Sequence, residues 1–260
     1  MPATTPMKIA VCLKQVITRD THVRPNASAT WIREDGASWA LNEPDAYALE
    51  EGLRLKEKHG GEVIAVSAGP ARVTQVLREA LARGADRAIH VEGDHLASSS
   101  DASSTADALA AALRDEAPDL VLTGLQSDDR GDAQVGVVLA EYLNAAHATI
   151  VVAVECQGSS VRVKRELEGG WFQWSTLPLP ALLTVQSGIN QLRYATLKGI
   201  MAAKKKELRV VAAPPIRPVT VRVVSVGVPE RAKQTRLLEG TPAEAAAALV
   251  TALRNDARLP

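Results

Sequence analysis

Short apolar runs alternate with segments of helical periodicity through the first 155 residues of the chain. The runs have the length of buried strands, and between them apolar side chains recur every three or four positions, as on one face of an α-helix. This alternation predicts βαβ units, and therefore an α/β fold with a Rossmann-like open parallel sheet and helices on both faces. Strands are predicted at residues 8–13, 62–68, 87–91, 120–123 and 149–155, and helices at residues 45–58, 73–81, 104–114 and 133–143.

The pattern changes after residue 156, where predicted strands follow one another without helices between them. They span residues 160–167, 171–175 and 181–185, and a Gly169-Gly170 turn separates the first two. We interpret the three strands as an antiparallel appendage on the parallel sheet. The aromatic side chains of this region are expected to pack within that sheet: Trp171, Phe172 and Trp174.

The C-terminal part of the chain has a different composition. Residues 207–218 are rich in proline and typical of a linker, a last strand is predicted at residues 219–226, and an Ala-rich helix is predicted at residues 241–253. We therefore expect an α/β domain over residues 7–206 and a linker with a C-terminal arm over residues 207–260. The arm is expected to be buried against a partner.

Composition narrows the class of protein. Lys and Arg total 30 and Asp and Glu total 30, so no global basic field attracts nucleic acid or a membrane surface. No apolar run approaches the roughly 20 residues that a membrane span needs, which predicts no membrane insertion. Cys12 and Cys156 form no disulfide or zinc pattern, and the first six residues do not resemble a signal or transit peptide. A cytoplasmic protein is predicted.

The segment 124–136 is the first candidate binding site. It begins with Gly124, directly after a predicted strand, and it leads into a predicted helix. In an open α/β sheet, ligands bind at the carboxyl ends of the strands, where a helix start offers free N–H groups to a phosphate. The alternative is a polar loop in which Asp128, Asp129 and Asp132 only satisfy the helix start. The residues alone do not decide between the two interpretations.

Groups that would catalyse a reaction by themselves are scarce. The histidines are scattered and none pairs with a recognisable nucleophile, and the sequence carries no Walker loop, G-x-S-x-G elbow or metal-ligand cluster. We therefore expect a protein that is not itself an enzyme.

A second candidate site combines residues 163–170 with residues 188–206, which end in a lysine run. No fold needs this mixed, partly charged segment for stability, and loops held by a rigid scaffold are where binding usually occurs. The lysine run by itself is typical of a solvated surface. We interpret the two stretches together as a docking surface, and we call residues 188–206 the docking segment.

These motifs resemble those of the beta subunit of electron-transfer flavoproteins, over most of the chain. Residues 163–170 resemble the family pattern V-x-R-E-x-x-G-G, residues 189–206 resemble L-N-x-P-R-Y-x-x-L-P-N-I-M-K-A-K-K-K, and residues 124–136 resemble its nucleotide loop. The resemblance implies an electron carrier in which FAD is shared with an alpha subunit. Electrons would come from acyl-CoA or related dehydrogenases, as in fatty acid β-oxidation, and leave to a quinone oxidoreductase.

The resemblance also implies a structural AMP in this chain. The positions that match the nucleotide pocket are Cys12, Asn42, Asp45, Ala68, Gly124, Gln126, Ser127, Asp129, Gly131, Asp132, Ala133, Gln134 and Val135. Electron-bifurcating members hold a second FAD there and carry a Thr and a Pro where this chain has Asp132 and Val137. The sequence therefore favours AMP, with the bifurcating form and a stand-alone nucleotide-binding protein as the alternatives.

The docking segment is implied to anchor dehydrogenases through one leucine, which matches Leu197. The positions that match the docking surface are Glu166, Arg193, Tyr194, Leu197, Ile200 and Met201. The chain departs from the family pattern at Leu192, Lys198, Gly199 and Ala202. These departures bear on the choice of partner more than on the mode of docking.

Overall fold

A computed structural model describes residues 6–97, 100–215, 218, 221–229, 235 and 237–255 of the chain. The strands are β1 Met7–Cys12, β2 Gln15–Ile17, β3 Trp39–Leu41, β4 Gly61–Gly69, β5 Arg87–Glu92, β6 Leu120–Gly124, β7 Ala146–Gln157, β8 Ser160–Glu166, β9 Phe172–Pro178, β10 Ala181–Val185 and β11 Leu208–Ala212. The helices are α1 Glu43–His59, α2 Thr74–Arg83, α3 Ala102–Arg114, α4 Val135–Tyr142, α5 Leu197–Ala203 and α6 Pro242–Asn255. The α/β prediction is confirmed, and the predicted elements of the first 155 residues occur with small shifts at their ends.

Among the described residues, one nine-stranded sheet has the order β11-β5-β4-β1-β6-β10-β7-β8-β9. The strands from β11 to β7 pair in parallel, whereas β8 and β9 are antiparallel to their neighbours. The short strands β2 and β3 form a separate antiparallel pair. This pair directly follows β1 in the chain and was not predicted.

Helices cover both faces of the parallel sheet, as predicted. One core cluster joins the odd-numbered side chains of β1, such as Ile9 and Val11, to apolar residues of α1 and α2. The other joins Ala10 and Cys12 to residues of α3 and α4. Helix α1 lies very close to the sheet, because a Cβ atom on Gly52 would come within 3.0 Å of the Val11 side chain.

The position of β10 corrects the sequence analysis. We predicted that residues 181–185 belong to an antiparallel appendage, but β10 lies between β6 and β7 and pairs in parallel with both. All five of its residues are buried. A continuous apolar run is typical of a strand that is covered on both faces. The prediction did not take this feature of residues 181–185 into account.

The antiparallel part consists of β8, β9 and the second half of β7. Strand β7 pairs with β10 up to Val151 and with β8 beyond it, and the register of both pairings shifts near this point. The expectation that Trp171, Phe172 and Trp174 pack within the sheet is wrong, because Trp171, just before β9, is 74% exposed, and Phe172 and Trp174 in β9 are 50% and 42% exposed. Across the strands, Arg162 stacks on Trp174 and Lys164 on Phe172.

The predicted linker contains a strand. Residues 208–212 form β11, which pairs with β5 along its whole length at the edge of the sheet. The strand predicted at residues 219–226 is not found over residues 221–226, and its first two residues lie outside the described part of the chain. The chain divides into a unit that ends at Val226 and a second unit that starts at Gly227 and contains α6. Of the described helices, none is both long and apolar enough to cross a membrane.

Replacing Leu183 by Ala should destabilise the protein strongly. Leu183 lies in the centre of β10 and is fully buried, so the substitution removes packing that cannot be replaced, at a cost of about 2–5 kcal/mol. The control Val210→Ala changes a residue of the edge strand β11 that is 51% exposed and should cost less than about 1 kcal/mol. Urea unfolding of both variants provides the measurement, and equal costs would contradict the central position of β10.

Candidate functional site

A cavity lies at the carboxyl ends of β1, β4 and β6, in front of the first turn of α4. The empty space within it, part of which is open to solvent, is about 860 Å³. Cys12 and Ala68 contribute from the ends of β1 and β4, and the loop after β6 contributes from Gly124 onward. Parallel strands produce this arrangement because their carboxyl ends all meet at one edge.

Asn42 holds the cavity loop rather than capping α1. It occupies the N-cap position, but its side chain makes no capping hydrogen bond. The Asn42 side-chain amide instead donates to the carbonyl oxygen of Gln126 at 3.0 Å, and its oxygen accepts from the N–H of Asp128 at 3.0 Å. Both ends of the amide are thus used to fix the backbone of the loop.

Asp45 ties two strand ends together beneath the cavity. One carboxylate oxygen accepts from the N–H of Lys14 at 2.7 Å, and the other accepts from the N–H of Gly124 at 2.9 Å. A side chain at position 124 would collide with this carboxylate, since a Cβ atom there would lie 2.5 Å from the Asp45 oxygen. Burial raises the pKa of Asp45 to about 7, and the two backbone N–H groups oppose this rise without cancelling it.

Lys14 neutralises one of the acidic residues of the loop. Its ammonium lies 2.6 Å from a carboxylate oxygen of Asp129 and donates to the Ser127 hydroxyl at 3.1 Å. Asp128 lies 3.7 Å from Arg19. Two of the three acidic residues of the loop, Asp128 and Asp129, are therefore paired with cations. Lys14 was missed in the sequence analysis, although it directly follows the strand predicted at residues 8–13, where a site residue is expected.

The start of α4 supplies hydrogen-bond donors to the cavity. The first N–H groups of a helix have no intrahelical acceptor, and Gln134, Val135 and Gly136 all border the empty space. Gly136 is buried against Thr123 and Thr184, which leaves no room for a side chain on that side. Gly131 adopts a positive φ of 66° with nothing near its missing side chain, so the loop turns there at no steric cost.

The far wall of the cavity comes from the segment that starts α3, which the sequence analysis did not include. Ser100, Asp101, Ala102 and Thr105 border the cavity there. The Arg130 guanidinium donates to the Ser100 carbonyl oxygen at 2.6 Å and lies over the Trp31 ring, 4.9 Å from its centroid. No sequence motif marks this wall, because only the packing of α3 beside α4 brings it to the loop.

Most of the residues predicted for nucleotide binding surround this one cavity. They are Cys12, Asn42, Asp45, Ala68, Gly124, Gln126, Ser127, Asp132, Ala133, Gln134 and Val135. Asp129 and Gly131 do not border it, and Asp129 instead borders an adjoining cavity. Burial raises the pKa of the Cys12 thiol far above its ordinary value, so this cysteine is a neutral wall residue. Within the described ranges, no group of His, Cys, Asp and Glu could hold a metal ion.

The docking segment contains a short helix rather than only a loop. Helix α5 begins after Thr196, whose hydroxyl accepts from the N–H of Gly199 at 3.0 Å and caps the helix. Tyr194, Leu197, Ile200 and Met201 are 91%, 77%, 46% and 58% exposed, respectively. We call these four residues the apolar patch. Exposed apolar side chains grouped on one element are typical of an interaction site.

Gly199 and Lys206 hold the docking segment against α2. A Cβ atom at Gly199 would lie 2.2 Å from the carbonyl oxygen of Ala82, so only glycine allows this approach. The Lys206 ammonium donates to carbonyl oxygens of Leu81 and Ala85 at the end of α2. Lys206 is therefore bound within the chain, whereas Lys204 and Lys205 are exposed at the end of α5, as expected for a solvated surface.

Two residues predicted for docking make contacts within the chain. Arg193 binds the carboxylates of Glu50 and Glu57 on α1, so its guanidinium faces the protein. Glu166, at the end of β8, accepts from the Gln186 side chain at 3.5 Å, close to the start of the docking segment.

Comparison with known proteins agrees with this arrangement. The electron transfer flavoprotein domain model matches residues 30–216. The chain is 37% identical over 257 residues to the electron transfer flavoprotein subunit beta of Methylophilus methylotrophus, with 94% of this chain and 97% of the relative covered. It is 34% identical to that of Bacillus subtilis, with 97% and 100% covered. It is 38% identical to that of Bos taurus, with 80% and 82% covered.

Replacing Asp45 by Asn should flatten the pH dependence of stability. The pKa of Asp45 is raised from 3.8 to about 7 on folding, so its contribution to the free energy of unfolding is complete below about pH 4 and is lost as the pH rises through about 7. Asparagine does not titrate. Its NH2 group cannot accept a hydrogen bond, so one of the two backbone N–H groups would lose its acceptor, which lowers the free energy of unfolding by about 1–3 kcal/mol.

Urea unfolding at about pH 5, 6 and 8 measures this dependence. The control Asp35→Asn removes a carboxylate that is 87% exposed and should keep the wild-type dependence. Equal pH dependence in the wild type and the Asp45 variant would contradict the role assigned to this carboxyl.

Proposed function

Since the chain belongs to the family of electron transfer flavoprotein beta subunits, we propose that it is one half of a heterodimeric electron carrier. Its partner is an alpha subunit, with which it shares FAD. The carrier accepts electrons from acyl-CoA or related dehydrogenases and passes them to a quinone oxidoreductase in the cytoplasm. Bound FAD supplies the electron storage, and no side chain of this subunit makes or breaks a bond.

The cavity in front of α4 is the proposed seat of an adenine nucleotide. One observation supports this most directly: three segments far apart in sequence line the same cavity. They contribute Cys12, Ala68 and Gln134. The donor set fits a phosphate, because the helix start, the Ser127 hydroxyl and the Lys14 ammonium all lie along the loop. Pairing of Asp129 with Lys14 removes part of the repulsion that an anion would otherwise meet.

AMP is the nucleotide proposed for this seat, in preference to a second FAD. The preference rests on Asp132 and Val137, which stand where the bifurcating members that this chain resembles carry Thr and Pro. In this interpretation the nucleotide is structural. It fills the gap between the loop after β6 and the segment that starts α3, and Asn42 and Asp45 hold the loop in place for it.

The apolar patch is the proposed docking site for dehydrogenases. Leu197 is its central exposed residue, at the start of α5. Burial of one leucine side chain contributes roughly 2 kcal/mol. That contribution suits a transient contact, which an electron carrier needs because it must leave each donor before it reaches the acceptor.

The released nucleotides identify the ligand of the cavity. The chain, co-expressed with its alpha subunit and then denatured, should release one FAD and one AMP per heterodimer, measured by chromatography against standards. Two FAD without AMP would overturn the AMP proposal in favour of the bifurcating form. A stable chain that binds a nucleotide but no alpha subunit would overturn the carrier proposal.

Replacing Leu197 by Ala should weaken docking. Because the substitution removes most of the apolar surface that the partner would bury, affinity for an acyl-CoA dehydrogenase should fall at least about tenfold. Surface plasmon resonance with the assembled flavoprotein provides the measurement. The control Val210→Ala removes a comparably exposed apolar side chain on the edge strand β11 and should leave affinity unchanged. Equal losses in the two variants would contradict a specific role for the patch.

A further inference from the structure

One arginine joins the docking segment to helix α1. The Arg193 guanidinium donates to both oxygens of Glu50, at 2.8 and 3.0 Å, and to both oxygens of Glu57, at 2.6 and 3.1 Å. Its backbone N–H also donates to Glu50, at 3.2 Å. Two bidentate contacts on one guanidinium give a defined geometry that a lysine could not reproduce. We call Arg193, Glu50 and Glu57 the carboxylate clamp.

The clamp is partly buried, which makes it more than a surface ion pair. The Glu50 side chain is only 6% exposed, whereas Glu57 is 60% exposed. A buried carboxylate that loses its partner is costly, so Glu50 strongly favours the conformation in which Arg193 is bound. The other cation near Glu50 is Arg54, which lies farther away, at 3.9 Å, and is 53% exposed.

The clamp is one of several attachments that leave the apolar patch free. Asn190 donates to the carbonyl oxygen of Tyr47 and to the carboxylate of Glu51 on α1. At the other end, Arg78 of α2 donates to the carbonyl oxygen of Ala203 at 2.8 Å. The segment between these points is held at both ends while its apolar side chains remain exposed.

Helix α5 needs such attachments because it is short. It has seven residues, and isolated helices of fewer than about 12 residues are not stable in water. Without external contacts, the segment from Tyr194 to Met201 would sample many conformations. A docking partner would then have to order it, and that ordering would weaken binding.

We propose that Arg193 is a positioning residue for docking: the carboxylate clamp preforms the segment from Tyr194 to Met201, so that the apolar patch binds a dehydrogenase without first being ordered. This assignment rests on the proposed docking function of the patch. It differs from the expectation that Arg193 itself contacts the partner. Four of the five N–H groups of its guanidinium already serve Glu50 and Glu57.

The test compares four variants of the assembled flavoprotein. Arg193→Met removes the clamp, and Arg193→Lys keeps the charge but not the paired geometry. Arg54→Met is the matched control, because it removes the other cation near Glu50 from outside the docking segment. Leu197→Ala removes the anchor but not the clamp. Two quantities are measured: amide hydrogen exchange of residues 192–203, and affinity for an acyl-CoA dehydrogenase.

We expect Arg193→Met to speed exchange in residues 194–201 and to lower affinity roughly tenfold. Arg193→Lys should restore part of both, and Arg54→Met should change neither. Leu197→Ala should lower affinity without speeding exchange. If Arg193→Met does not fold, Glu57→Gln opens the exposed half of the clamp and should shift both quantities in the same direction by less.

Three outcomes would overturn the proposal. Lower affinity with unchanged exchange in Arg193→Met would make Arg193 a direct contact with the partner. Unchanged affinity and unchanged exchange would show that the clamp has no role. The third outcome is faster exchange in Arg193→Met while affinity is unchanged in both Arg193→Met and Leu197→Ala. It would leave the clamp as a structural contact and would refute the proposed docking surface itself.

Discussion

The close packing of helix α1 on the parallel sheet is the contact on which both candidate sites depend. Gly52 allows the helix to approach β1 within side-chain contact. Asp45 in its first turn accepts from the N–H of Lys14, just beyond β1, and from the N–H of Gly124, at the end of β6. Tight packing of this kind resists small displacements. The same helix presents Glu50 and Glu57 one to three turns later, so the nucleotide loop and the docking segment are positioned from a single rigid element.

This arrangement suits the proposed electron carrier, in which bound cofactors would supply the chemistry and the protein would supply position. Around the cavity, position comes from polar contacts to backbone atoms, as in the two hydrogen bonds of Asn42. In the docking segment it comes from charged contacts to α1 and from α2 contacts at Gly199 and Lys206. In both places the described side chains hold backbone in place, and the surfaces offered to ligand or partner remain open.

Predictions from sequence succeeded where the signal was local. Hydrophobic periodicity located the helices and the parallel-sheet strands of the first 155 residues, although not the short pair β2 and β3. The loop after β6 was recognised from glycines between a strand and a helix. They failed where pairing depends on distant segments. The run at residues 181–185 has the same apolar pattern whether it extends an edge or fills the centre, and β11 was concealed by the prolines that follow it. The inward direction of Arg193 was likewise invisible, because its partners lie more than a hundred residues away.

The sequence by itself determined the fold class, the family and the segments that form the candidate sites, since these depend on periodicity and on motifs of neighbouring residues. The tertiary structure alone decided which residues of those segments face a ligand and which hold the backbone. It showed that Lys14 neutralises Asp129, that Asn42 does not cap α1, and that Arg193 is bound to α1 while Leu197 is exposed. The physical reason is that a polar side chain takes its role from the partner it meets, and that partner is set by long-range packing.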